Sequence, residues 1–138
     1  MVVNLDWELI GESVPLLLTG AVVTVEITAI SVGLGLLIGM IVGIARLSGV
    51  KPIRVISGAY VDCIRGTPLL VQIFIVYFAL PAVTGTRINP FIAAVVACSI
   101  NSGAYVAEIF RGGIQSIDPG QMEAGRSLGL TWGQTMRY

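Results

Sequence analysis

The chain has 138 residues, of which 55% are hydrophobic and 12% charged, and its mean hydropathy is +0.89. A water-soluble domain carries roughly 25% charged residues to face solvent, so this composition excludes a soluble globule and points to lipid as the surrounding medium. Eight basic residues balance eight acidic ones and there is no histidine, which leaves no basic surface for nucleic acid and removes the commonest metal ligand and general base.

Residues 1–10 carry no Lys or Arg and include Asp6 and Glu8, unlike the basic start of a cleaved signal peptide. The first apolar stretch, 16–45, exceeds the roughly 20 helical residues that cross a bilayer core. It holds Gly20, Gly33, Gly35, Gly39 and Gly43. In lipid such glycines let helices approach closely, and Gly35 with Gly39 forms a small-xxx-small pair. A basic link at 46–54 follows, with Arg46, Lys51 and Arg54 and no acid. The second span is expected at 62–82 and the third at 91–110.

The excess of basic residues in the 46–54 link places it in the cytoplasm. The N-terminus is then expected outside, and everything after Arg111 inside. Counting back from Arg46 puts Glu26 near the outer interface, where a carboxylate reaches water or lines a transport path. Asp62 with Arg65, and Glu108 with Arg111, are spaced for ion pairs on one helix face. Cys63 and Cys98 fall at different depths and read as small packing residues rather than a disulfide.

Gln72 and Asn101, the latter beside Ser102, lie near the midplane, where an amide must bond another helix or face a wet cavity. On the third span Ala94, Cys98, Asn101, Tyr105, Glu108 and Gly112 share one stripe, as helix glue or as part of a substrate path. Pro68 removes a backbone donor and predicts a kink or break at 65–68.

After Arg111 the chain reads GGIQSIDPGQMEAGRSLGLTWGQTMRY. Asp118 is a good N-cap, Pro119 suits the first helical position, and Gln121 is spaced for a capping box. A short helix at 119–128 then stops at Gly129. Thr131 with Gln134 predicts a second helix from Trp132. A capped helix pair outside the bilayer either docks on a cytoplasmic partner or rests on the membrane surface.

Three blocks resemble one family. E-A-G-R-S-L-G at 123–129 resembles the EAA loop of ABC-importer permeases, with Gly125 where the second alanine usually stands. R-G-T-P-L-L-V-Q at 65–72 and N-S-G-A-Y-V-A-E-I-F-R-G-G-I-Q at 101–115 are similar to stretches of polar amino-acid permeases of the histidine, glutamine and arginine type. The resemblance implies an all-α integral membrane bundle of the type I importer permease fold. By that resemblance, three transmembrane helices and a cytoplasmic coupling pair at 116–138 are expected here, with the family's later helices expected to be lacking from a truncated chain. It further implies that Glu123, Ala124, Gly125, Leu128 and Gly129 couple to an ATPase, while Gln72, Asn101 and Ser102 are candidates to line the path. The implied partners are an ATP-binding subunit holding ATP and Mg, a second permease subunit, an extracytoplasmic amino-acid-binding protein, a polar amino acid and membrane lipid.

The implied location is the bacterial inner membrane. No GxxxxGK[ST] loop is present and Lys51, the only lysine, has the wrong context, so ATP chemistry is not expected in this chain. A small channel or scaffold would not explain a capped helix pair in the cytoplasm. An intramembrane enzyme lacks a nucleophile with an evident base, so no catalytic or metal site is expected.

Overall fold

The structure, a computed structural model, describes residues 7–137. Asp6 lies outside them, and the side chain of Glu8 is likewise not described. The helices are α1 (Trp7–Arg46), α2 (Lys51–Arg65), α3 (Leu69–Phe74), a π turn (Ile75–Ala79), α4 (Leu80–Thr84), α5 (Pro90–Gln115), α6 (Pro119–Ser127) and α7 (Trp132–Thr135). Two helices, α1 and α5, are long and apolar enough to cross a membrane, or three if the bent pair formed by Lys51–Arg65 and Leu69–Thr84 counts as one span.

The first helix starts nine residues before the expected 16–45 segment and runs for 40 residues, about 60 Å at 1.5 Å per residue. Its N-terminal half exposes Leu16, Leu17, Leu18, Val22 and Val25. The hydroxyls there do not face lipid unsatisfied: Ser13, Thr19, Thr24 and Thr28 each donate to the carbonyl four residues earlier, at 2.7–2.9 Å. That back-bonding is how a threonine-bearing helix tolerates hydrocarbon.

The C-terminal half of α1 packs parallel to α5 through Ser31, Gly35, Gly39 and Gly43, four buried residues spaced by four. A β-carbon at Gly39 would lie 2.9 Å from the Gly103 carbonyl oxygen, and one at Gly43 3.1 Å from that of Ala107. The small-xxx-small pair therefore does bring two helices together, and it extends to Gly43. Gly20 and Gly33 meet nothing within 4 Å, so within the described residues they make no close approach. Ser31 ties the crossing by donating to Val95 O at 3.3 Å.

On α5 the residues that meet this row include Val95, Ser102, Gly103, Val106, Ala107 and Phe110, and Ala93, Val95, Ala97, Ser99, Gly103, Ala104 and Ala107 are buried. The stripe expected from spacing lies beside this face rather than on it. Tyr105 is 48% exposed, Gly112 is exposed, and Ala94, Cys98, Asn101 and Glu108 are half-buried. Small side chains permit the closest approach, so they and not the polar stripe define the contact.

The segment expected at 62–82 is interrupted. Its first four residues belong to α2, which meets the following helix at 102°. Pro68 explains the break: it has no N–H and disfavours helical geometry at Thr67. Gly66 closes α2 by donating to Asp62 O at 2.9 Å. Further on, the backbone widens into the π turn just before Pro81, and Leu80 N bonds Ile75 O. Gly85, at φ 71°, stops α4 in the left-handed region that suits glycine.

Candidate functional site

Three groups of residues stand out, beginning with the midplane amides. Gln72 is 7% exposed. Its Nε2 donates to Ile64 O at 2.8 Å and to Thr67 O at 3.0 Å, and its Oε1 accepts from Asn101 Nδ2 at 3.2 Å. Both amide hydrogens and the carbonyl of Gln72 are thus used within the chain. Both carbonyls flank the break at Pro68; Ile64 O also accepts from Thr67 N at 3.3 Å, so the Gln72 amide adds a side-chain tie across the bend. Ser102 sits elsewhere, in the α1–α5 crossing, where a β-carbon on Gly35 would fall 2.6 Å from its Cβ. Gln72 and Asn101 are brought together, and Ser102 faces the opposite helix.

The second group ties together the C-terminal ends of α1 and α2 and the C-terminal part of α5. Glu108 pairs with Arg46 from α1 through Oε2 and with Arg111 through Oε1, the Arg111 Nε contact being 3.1 Å. Arg65 of α2 approaches Oε2 at 3.9 Å and stacks over Tyr105 at 5.3 Å from the ring centre. The expected Glu108–Arg111 pair is present. The expected Asp62–Arg65 pair is not among the described ion pairs, because Arg65 turns toward α5. Spacing along one helix could not reveal this cross-helix cluster, though all four residues stand near the C-terminal ends of their helices. Glu26, by contrast, is exposed on α1, and no described residue bonds it. Cys63 and Cys98 are both free thiols.

The third group is the capped pair beyond α5. Asp118 accepts from Gly120 N at 2.7 Å and so caps α6. The side chain of Gln121 makes no reciprocal bond among the described residues. Thr131 and Gln134 do form a complete capping box on α7. Leu128 closes α6, and Gly129 at φ 85° makes the turn. Leu130 N returns to Gly125 O at 3.2 Å.

The EAA-like residues are displayed rather than buried. Glu123, Ala124 and Gly129 are exposed, and Leu128 is 83% exposed. Gly125 is half-buried, and a β-carbon on it would meet Thr135 Oγ1 at 2.9 Å. Between this pair and the end of α5 lies a cavity of about 860 Å³, lined by Ile114, Ile117, Met122, Leu128, Leu130 and Met136 among others.

A helical membrane bundle with a displayed, doubly capped helix pair at one end defines a class. Residues 35–138 match the binding-protein-dependent transport system inner membrane component family, and the chain belongs to that family. It is 46% identical over 134 residues to the glutamine transport system permease protein GlnP of Escherichia coli (strain K12), covering 96% of this chain and 61% of that protein. It is 42% identical over 134 residues to the arginine transport system permease protein ArtQ of Bacillus subtilis (strain 168), covering 97% and 61%. It is also similar to a crystal structure of an amino acid ABC transporter with histidines, at TM-score 0.89 and 44% identity, covering 98% of this chain and 63% of that one. The chain spans about three fifths of the length of these relatives.

Proposed function

We propose that this chain is the membrane-spanning part of an ABC importer subunit for polar amino acids, with the N-terminus outside the cell. An ATP-binding subunit would engage Glu123, Ala124, Gly125, Leu128 and Gly129, and its closure on ATP would drive the inner end of the bundle. The observation carrying this reading is the exposed α6–turn–α7 pair. Leu128, 83% exposed at the end of a capped helix, together with the exposed Glu123, Ala124 and Gly129 beside it, supports a face that a protein partner would cover. A second permease subunit and an external binding protein complete such an importer. The substrate class rests on the likeness to glutamine and arginine permeases.

Crosslinking tests the reading. With Cys63 and Cys98 replaced by serine, Leu128→Cys is produced in membranes together with the ATP-binding subunit of a polar amino-acid importer from the same cell. A bis-maleimide is expected to join the two chains. Val83→Cys, 86% exposed near the far end of α4, is expected to give no adduct, and to react with an impermeant maleimide on intact cells. Labelling of Leu128→Cys from outside intact cells would overturn the orientation, and no adduct at that position would overturn the coupling role.

A further inference from the structure

The cluster around Glu108 is unbalanced: three guanidiniums, from Arg46, Arg65 and Arg111, face one carboxylate. They come from three different helices and leave a local excess of two positive charges. Arg46 and Arg111 are committed to Glu108 by direct hydrogen bonds, and Arg111 also donates to Gln115 Oε1. Arg65 is different. It makes no hydrogen bond through its side chain among the described residues, it is 3.9 Å from the carboxylate, and its side chain is the most exposed of the four at 40%. Its planar group lies on the face of Tyr105, which fixes its direction while leaving its N–H edge free. Asp62, three residues earlier on α2, does not pair with it.

Depth tells which anion meets this edge. Roughly 27 Å of helix separates Pro90 from Glu108, nearly the full thickness of a bilayer core. The cluster therefore stands at the level of phospholipid headgroups, between helices rather than on a loop. Basic pockets between spans at this depth suit anionic headgroups, and the planar fork of Arg matches phosphate oxygens. Tyr105, one turn toward the midplane and 48% exposed, gives the adjoining chain an apolar surface.

We propose that Arg65 binds the phosphate of an anionic phospholipid at the inner end of the bundle, the excess positive charge of the cluster adding to the attraction. That the leaflet is the cytoplasmic one rests on the orientation proposed above. Lipid binding by the purified chain does not depend on orientation, so the two fail separately.

The test is native mass spectrometry of the 138-residue chain in neutral detergent, with phosphatidylglycerol or phosphatidylcholine of matched acyl chains. Wild type is expected to retain phosphatidylglycerol preferentially. Arg65→Gln is expected to weaken that retention roughly fivefold, and Arg54→Gln, on α2 but outside the cluster, to leave it unchanged. On wild type alone, raising salt from about 50 to 500 mM is expected to weaken phosphatidylglycerol and not phosphatidylcholine. The salt series stands even if Arg65→Gln does not fold. Equal retention of the two lipids, or a preference that survives both Arg65→Gln and high salt, would overturn the proposal. Displacement by millimolar inorganic phosphate would assign the site to a soluble oxyanion and overturn the lipid as its source.

Discussion

Gly39 of α1 and Val106 of α5 are packed so closely that a β-carbon on Gly39 would collide with the valine side chain and with the Gly103 carbonyl at 2.9 Å. Backbone stands on one side of this contact and a β-branched side chain on the other. Neither gives way cheaply.

Gly39→Leu is therefore expected to split the α1–α5 crossing, at a cost of roughly 1–3 kcal/mol or more. Gly33→Leu, on the same helix with nothing within 4 Å, is expected to be neutral. Thermal unfolding in micelles separates the two. Equal midpoints for both variants would mean that the glycine row does not set the crossing.

A second expectation concerns the bend at Pro68. Gln72→Leu strands Thr67 O and the Asn101 amide in an apolar interior, where each unsatisfied group costs about 1–3 kcal/mol, and leaves Ile64 O only its bond from Thr67 N. Hydrogen exchange should accelerate at residues 64–72 while the α1–α5 contact stays protected. Asn101→Leu removes only one of the three bonds and should cost less, near the ~0.6 kcal/mol typical of bonds between membrane helices. If Asn101→Leu proves the more damaging, Gln72 is not what holds the break.

The third lies in the α6–α7 pair. Gly125→Ala gains up to about 1 kcal/mol of helix propensity, but its methyl group would meet Thr135 Cγ2 at 2.5 Å. The steric cost is expected to win, loosening α7 and exposing Trp132, which circular dichroism and tryptophan emission would report. Adding Thr135→Ala removes both colliding atoms and should restore the pair. A single Gly125→Ala change that raises stability would show that α7 moves aside freely.

Much of this architecture could be read in the chain. Composition settled the solvent, the caps at Asp118 and Thr131 located α6 and α7, and Pro68 marked the break. The Gly35–Gly39 pair announced a close crossing because small residues at that spacing have few other uses in lipid. Other features resisted. Periodicity on α5 selected the polar stripe through Asn101 and Tyr105, since hydropathy contrast marks polarity, whereas packing in lipid follows side-chain size. The carboxylate of Glu108 has both a local partner, Arg111, and a distant one, Arg46, 62 residues away. Only the former lies within reach of sequence spacing. The direction of Arg65 depended on a bend of 102°, and no propensity carries that angle.

The separation between the two packed helices also bears on biogenesis. The groove that receives Ser31, Gly35 and Gly39 is built from residues 95–107, synthesised some sixty positions later. At roughly 5–20 residues per second, the ribosome leaves α1 without its mate for about 3–12 s. Through that interval its notched face is bare to acyl chains or to an insertase, so α1 must be stable in hydrocarbon alone before any tertiary structure exists. Its long leucine- and valine-rich N-terminal half meets that requirement.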